Sequence, residues 1–566
     1  MTGDPAPDEK AEGRSETALP ATSLRQRFRA LLDQSLVALN RLRLPGASVL
    51  PVAGAVVGLY AGLAAGVFTN LIGVVSGGVF GWPQVLSVVR PGPETRHALS
   101  AALLHARWHP QYLVAGVPLA VAALGLAQLI RPGGPRDVAR KRLRVLGLLV
   151  LGALALDYAL VALSAVNSVF GYPGDLLQAL GTLPLWARVL VPALGGAVVG
   201  RLLKHHPGTR GHGVPEVVAA VHRQPEVLTA RRGLRKLVAS AVTIGSGGSA
   251  GREGPIVYAG AAFGGAVGRT LGFTRGELSV LLAAGGGAGI AASFNTPIGG
   301  AIFALEIILR DFELRVFSPI FLASVIATLV SRGVMGRSQL LEQVPYEMQS
   351  GWEMVAFAVL GLFTGLLAFA FIRCLHATET FFEGRLPLIA SAWLGRRSLS
   401  LRAALGGLGV GLLVLINPTA WGVGQESLNL ATAGKLTFGY LVIACALKLF
   451  ASCLTLGSGG SGGTFFPAVV IGAMGGGALG ELLHRLAPAM VPDSGAYALV
   501  GMGGCVAAFT RGPLTGLIMM YELSGSPSVI LPLMVACTIA SALCHALVER
   551  GTRPHGMPPV APTEES

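Results

Sequence analysis

The chain has 566 residues, a formal charge of +14, 52% hydrophobic and only 13% charged residues, and a mean hydropathy of +0.63. This composition excludes a soluble globular protein and predicts an all-α protein that crosses a membrane several times. The positive charge is spread over loops, as membrane insertion favours, and no nucleic-acid-binding motif accompanies it, so no nucleic acid partner is predicted.

The N-terminal third starts with polar sequence and continues with apolar segments. Residues 1–22 are rich in Pro, Glu, Asp and Ser and predict a disordered cytoplasmic tail. Residues 23–47 mix apolar residues with arginines, a pattern typical of an amphipathic helix at the membrane interface. Residues 48–185 are predicted to form N-terminal membrane helices that include an insertion, with spans at 48–80, 111–130 and 143–170.

Two larger segments follow, and each combines long apolar stretches with short ones that Gly and Pro interrupt. In the first, 186–335, the interrupted stretches between 211 and 310 have roughly 10–20 residues, which is too short to cross the hydrocarbon layer. The second, 350–550, repeats the pattern between 457 and 525. Helices that end inside a membrane are predicted to meet within the protein, because lipid cannot bond their end groups. Residues 551–566 predict a short cytoplasmic tail.

The chain contains two copies of one unit. Residues 236–268 recur as 448–480 with a constant offset of 212 positions, and both copies contain the run Gly-Ser-Gly-Gly-Ser. A second pattern, Pro-x-x-Gly-x5-Glu, also occurs twice, at 297–306 and 513–522. Duplicated halves with interrupted apolar segments indicate a binding site where the halves meet, near the middle of the membrane.

The glycine-rich turns predict an anion site. Each leads into a helix with a proline in its first turn, Pro255 or Pro467, so that free N–H groups and the positive end of the helix dipole face the turn. Glycine lets an ion approach the backbone closely. One helix end stabilises a bound anion by only about 0.3–2 kcal/mol. Dehydrating the ion costs far more, so several helix ends have to act together. Partial charges also let the ion leave again.

Glu253 lies in the first of these turns. A carboxylate at membrane depth is costly and is a functional candidate for that reason. Ionised, it would compete with an anion for the same N–H groups; protonated, it would leave them. Glu253 is therefore predicted to be a gate and a proton carrier, and the alternative is an ordinary helix-terminal glutamate that the dipole stabilises.

Enzymatic chemistry is not predicted. The sequence has no HExxH, GxSxG or P-loop pattern. Its six cysteines lie in or beside apolar stretches without CxxC spacing and are interpreted as core residues. We expect no cofactor and no bound metal.

These motifs resemble the CLC family of chloride channels and chloride/proton exchangers over about residues 186–550. Gly251–Pro255 resembles the family's GREGP, Gly463–Pro467 its GxFxP, and Gly211–Glu216 its GSGIPE. The resemblance implies an inverted-repeat bundle of broken, tilted helices that forms a homodimer with one anion pathway per subunit, and it makes Glu253 the gating glutamate. The anion-binding residues that it implies are His212, Gly213, Arg252, Gly254, Thr464, Phe465 and His555.

Three departures from the family pattern leave the mechanism open. His212 stands where family members usually have a serine that binds the central anion; a histidine could add pH dependence or face solvent. Ile307 follows Glu306 at the position where exchangers carry a proton-relaying glutamate. The family's pore tyrosine has no clear counterpart, so His555 is placed there, and no paired CBS domains follow.

The sequence thus predicts a voltage- or pH-gated chloride channel in the inner membrane of a prokaryote. A chloride/proton antiporter with a non-standard proton path is the first alternative. A fluoride-selective transporter is the second, because fluoride-selective relatives also lack the glutamate at Ile307. A membrane scaffold or receptor without conduction is the rival of a different class. The predicted partners are chloride or another small anion, protons, a second copy of the chain and the lipid bilayer.

Overall fold

A computed structural model describes residues 49–80, 183–206, 211–223, 227–335, 351–488 and 494–551, together with a few single residues. The predictions for the tails 1–22 and 551–566, for the interfacial helix 23–47, for the spans 111–130 and 143–170, and for His555 lie outside these residues apart from isolated positions.

The described residues form 17 α-helices. Those before residue 340 are α1 Val49–Phe80, α2 Leu185–Leu203, α3 Val214–His222, α4 Ala230–Gly245, α5 Glu253–Leu271, α6 Arg275–Phe294, α7 Pro297–Phe303, which a π-helical turn Ala304–Leu309 continues, and α8 Leu314–Met335. Those after it are α9 Glu353–Phe382, α10 Ile389–Gly395, α11 Leu399–Ile416, α12 Gln425–Thr432, α13 Phe438–Gly457, α14 Phe465–Leu486, α15 Ser494–Thr510, α16 Pro513–Ser524 and α17 Ile530–Gly551.

Helix α1 packs on α8 as α9 packs on α17. A Cβ on Gly58 of α1 would lie 2.2 Å from the carbonyl oxygen of Ala323, and one on Gly365 of α9 would lie 2.9 Å from that of Ala540. Both pairs therefore touch through backbone. The order α2 to α8 also matches the order α11 to α17. We propose that α1 opens the first half as α9 opens the second, so that the first half begins well before residue 186.

Nine helices in the described part of the chain are long and apolar enough to cross a membrane. They include α6 and α14, which have 20 and 22 residues, so the prediction that the glycine-rich stretches are all too short to cross is wrong for these two. The glycines of α6 do not interrupt it; they let it approach α5. A Cβ on Gly285 would lie 2.1 Å from the carbonyl oxygen of Gly260, and the converse distance is also 2.1 Å.

The two halves are tied to each other by exchanged hydrogen bonds. The N–H of Ser249 donates to Oγ1 of Thr455 at 2.9 Å, and the N–H of Ser461 donates to Oγ1 of Thr243 at 3.1 Å. Each bond maps onto the other under the 212-residue offset. All four residues are buried, so these bonds form away from competing water.

The two glutamates of the Pro-x-x-Gly-x5-Glu pattern show the same exchange. Glu306 accepts hydrogen bonds at 3.0 and 2.7 Å from two backbone N–H groups at the start of α16. Glu522 accepts hydrogen bonds at 3.1 and 2.8 Å from two at the start of α7. Each carboxylate thus satisfies end groups of the other half's helix, where negative charge is favoured by the dipole.

Replacing Glu306 by Gln should lower the stability of the protein. The amide keeps the size of the side chain but loses the negative charge and one acceptor oxygen, and we expect the free energy of unfolding to fall by about 1–3 kcal/mol. Denaturant unfolding of the purified protein in detergent measures this. Glu313→Gln is the control, because Glu313 is exposed and pairs with Arg315 at the surface. Equal effects of the two changes would contradict the capping role.

Candidate functional site

The two glycine-rich turns cross each other. Gly251 and Gly463 form an antiparallel bridge, with N–H to carbonyl oxygen distances of 2.8 and 2.7 Å. Because 463 is 251 plus 212, the bridge pairs equivalent residues. It therefore lies where a twofold axis relating the two halves would pass. Helices α5 and α14 each begin two residues later. Their N-terminal ends therefore start from one point and run apart.

A third helix end reaches the same point. A Cβ on Gly254, in the first turn of α5, would lie 2.1 Å from the carbonyl oxygen of His212 and 2.8 Å from the Cα of Gly463. One on Gly213, the residue before α3, would lie 2.2 Å from the carbonyl oxygen of Gly254, and Gly213 has φ +100°. The starts of α3, α5 and α14 are thus in backbone contact. This combines three positive dipole ends, as an anion site needs.

The side chain of Glu253 lies at this meeting point and is fully buried. Neither carboxylate oxygen has a hydrogen-bond partner among the described residues. The backbone N–H groups of Arg252, Glu253 and Phe466 lie close to the carboxylate, but none has hydrogen-bond geometry to either oxygen. The Nε atom of Arg252 is 4.0 Å from Oε1. A buried carboxylate with this little compensation is held at high cost, which is typical of a functional group.

Arg252, Thr464 and Phe465 lie at the starts of the same helices. Arg252 precedes α5 and donates a long hydrogen bond of 3.3 Å to the carbonyl oxygen of Ser293. Thr464 precedes α14 and is buried. The ring of Phe465 packs on Phe294, with centroids 5.5 Å apart. That ring is therefore part of a wall, and what Phe465 can offer an ion is its backbone N–H.

His212 and Gly213 are both engaged with carboxylates. The N–H of Gly213 donates to Glu216 at 2.7 Å, so it is not free for an anion in this arrangement. The Nε2 atom of His212 lies 2.8 Å from Oε1 of Glu379, near the C-terminal end of α9. Nothing in the sequence marks Glu379 as a partner of His212, because it lies 167 residues away and belongs to no repeated motif.

Two lysines hold the turns that precede the short helices α3 and α12. Lys236 donates to the carbonyl oxygen of Gly211, and Lys448 donates to that of Gly422 at 2.8 Å. Both lysines are fully buried, and they are equivalent under the 212-residue offset. The repeat revealed the pair, but only the structure shows that each positions a turn.

Ile307 lines a pocket of about 400 Å³ together with Glu306, Arg310, Arg511 and His545. An alkyl side chain cannot bind a proton. Both oxygens of Glu306 already accept hydrogen bonds from the start of α16. The position where family exchangers carry their relay glutamate therefore offers no free carboxylate here.

Comparisons with known proteins agree with this geometry. The profile of the family described as "Voltage gated chloride channel" matches residues 195–545. A putative chloride channel protein, ClcB-like, from Ralstonia nicotianae is 32% identical over 384 residues, which cover 66% of this chain and 86% of the relative. The H(+)/Cl(-) exchange transporter ClcA of Salmonella paratyphi A is 29% identical over 368 residues, covering 64% and 76%.

The structure of a slow cyanobacterial Cl⁻/H⁺ antiporter superposes with a TM-score of 0.63 at 22% identity, covering 89% of this chain and 96% of that one. The similarity confirms the predicted fold, an inverted-repeat helical bundle that spans a membrane many times.

Proposed function

This chain belongs to the voltage-gated chloride channel family, and on that basis we propose that it moves chloride across a membrane through the meeting point of α3, α5 and α14. The observation that supports this most directly is the buried, unbonded carboxylate of Glu253 at three converging helix starts. We assign Glu253 as the gate. The backbone N–H groups around Gly254, Thr464 and Phe465 hold the ion.

The site suits an ion that has to bind and leave. Three helix ends of about 0.3–2 kcal/mol each supply a few kcal/mol, which lowers the dehydration cost without trapping the ion. Arg252 adds one full charge at the edge, and its Nε has no hydrogen-bond partner among the described residues. Ionised Glu253 fills the site with its own negative charge, and protonated Glu253 vacates it for chloride.

Channel and exchanger activity differ in whether protons accompany chloride. Ile307, which replaces a relay glutamate, favours a channel, whereas the similarity to the exchange transporter of Salmonella favours the antiporter. The test uses protein in liposomes with an outward chloride gradient and an internal pH dye. Proton uptake driven by the chloride gradient alone means an exchanger. Chloride efflux without proton movement, at a voltage clamped by a potassium ionophore, means a channel.

The same liposomes test the anion. Fluoride efflux without chloride efflux would reject the proposal in favour of a fluoride transporter. Absence of both fluxes, with the fold intact, would favour a scaffold or receptor.

We further propose that the protein works as a homodimer in the inner membrane of a prokaryote. This rests on the family resemblance and on the many predicted spans. The mass of the detergent-solubilised particle, corrected for bound detergent, should correspond to two copies, and the mass of one copy would contradict the dimer.

A further inference from the structure

The pair His212–Glu379 joins a titratable side chain to the turn that forms the anion site. The imidazole and the carboxylate are in hydrogen-bond contact at 2.8 Å, and their side chains are 17% and 36% exposed. The carbonyl oxygen of His212 packs on Gly254, next to the gate Glu253. Glu379 lies near the end of α9 and belongs to none of the sequence motifs described above.

Of the two ring nitrogens of His212, one has a hydrogen-bond partner among the described residues and the other has none. Its Nε2 faces the carboxylate, so in the neutral imidazole this nitrogen carries the proton and donates it to Glu379. Its Nδ1 is buried and has no hydrogen-bond partner among the described residues. In the neutral ring Nδ1 carries only a lone pair. In the imidazolium it becomes a buried N–H donor, which is costly unless an acceptor arrives.

Protonation also changes the charge beside the turn. The neutral imidazole with ionised Glu379 has a net charge of −1, which repels an anion. The imidazolium with the same carboxylate has a net charge of zero, and its new Nδ1–H needs an acceptor. Both effects favour chloride binding beside the pair when the pair is protonated. An imidazole ordinarily changes charge between about pH 5 and pH 8.

The surroundings place several other ionisable groups near the pair. His376 and Arg385 lie beside Glu379, on α9 and just after it. Glu216 accepts from the N–H of Gly213, and Lys236 donates to the carbonyl oxygen of Gly211. The thiols facing this region are Cys374 of α9 and Cys453 of α13. His376 is the other imidazole beside Glu379 and is therefore tested as a competing proton site.

We propose that His212 and Glu379 form a proton-binding site whose occupancy is linked to chloride at the adjacent turn. Chloride binding draws a proton onto the pair, and a proton on the pair strengthens chloride binding by the same factor, because linkage is reciprocal. The pair supplies a protonatable group close to the ion pathway in a chain that has Ile307 at the family's relay position. This inference rests on the proposed chloride site.

The test measures proton uptake when chloride binds. Full-length protein carrying Glu253→Gln is used as the background, since the gate itself can exchange a proton with chloride. Sodium chloride is added to this protein in weak buffer near neutral pH, and a pH dye records the solution. We expect the solution pH to rise, by an amount that corresponds to the uptake of a fraction of one proton per bound chloride. Calorimetric chloride affinity should be at least about fivefold higher at pH 5.5 than at pH 8, within the usual range for coupled sites.

Three further variants in this background separate the pair from its neighbours. His212→Ser and Glu379→Gln should each abolish the proton uptake and flatten the pH dependence of the affinity. Both keep a hydrogen-bonding side chain, and circular dichroism and gel filtration confirm their folding. His376→Gln is the matched control on the same helix and should keep both effects.

Proton uptake that persists in His212→Ser and Glu379→Gln, or is lost only in His376→Gln, would overturn the inference while the chloride site stands. Absence of chloride binding at every pH in the wild-type protein would overturn the chloride site and the linkage together. The affinity of the wild-type protein therefore tells the two failures apart.

Discussion

Replacing Glu253 by Gln is expected to leave chloride flux intact at every pH while removing the gate's contribution to its pH dependence and any proton transport across the membrane. In the wild-type protein, the ionised carboxylate competes with chloride at the meeting point of the helices, and flux should rise as the pH falls and the carboxylate becomes protonated. Glutamine has the shape of the protonated acid but cannot release a proton. The variant should therefore keep its gate open at all pH values, as the wild type does in acid.

The measurement is chloride efflux from liposomes between about pH 5 and pH 8, with proton movement recorded in parallel. We expect the wild-type flux to change by about tenfold or more, equivalent to ~1.4 kcal/mol. The flux of a protein carrying both Glu253→Gln and Glu379→Gln, which also lacks the second proton site, should stay flat. Glu277→Gln is the control, because Glu277 caps α6 at a partly exposed position and should keep the wild-type response. An unchanged pH dependence in Glu253→Gln or Glu253→Ala would remove this residue from the gate.

The second large effect is expected from Gly254→Ala. The new methyl group would lie 2.1 Å from the carbonyl oxygen of His212 and 2.8 Å from the Cα of Gly463. Both are backbone atoms of the other converging segments, so relief requires separating the helix starts. We expect a loss of about 1–3 kcal/mol in the free energy of unfolding and at least about a tenfold loss of chloride affinity.

Calorimetric chloride titration and denaturant unfolding in detergent measure the two effects. Gly276→Ala is the matched control: Gly276 lies in the first turn of α6, and an added Cβ meets nothing within 4 Å. Alanine there should leave chloride affinity unchanged and slightly raise stability, because it loses less backbone entropy. Wild-type affinity in a stable Gly254→Ala protein would contradict the close convergence of the three helix starts.

The repeats in the sequence predict the architecture because a constant 212-residue offset survives without a gap. Two copies of one turn are expected to occupy equivalent places in the two halves. The bridge between Gly251 and Gly463 joins such equivalent residues directly. Glycine-rich turns and helix dipoles alone predict that the helix starts converge at a point suited to an anion. Helix length was misjudged for α6 and α14, since glycine serves both to interrupt a helix and to let two helices touch.

Pairings between distant residues could not be predicted in this way. The sequence marks Glu306 and Glu522 as equivalent, but not that each caps a helix of the opposite half. Nothing marks Glu379 at all, because a half-buried glutamate near the end of a long helix resembles an ordinary surface residue. Its role depends on where α9 ends relative to α3, and that position is set by packing over the whole bundle.

The exchanged bonds also determine the order in which the molecule can be completed during synthesis. When the ribosome has made only the first half, Glu306 has no α16 to cap, Thr243 has no Ser461 to bond, and Gly251 has no Gly463 to pair with. These contacts span more than 200 residues of chain, so they cannot form until the second half has been made. The proposed ion site, which needs the starts of both α5 and α14, can consequently be completed only after the late half has been made.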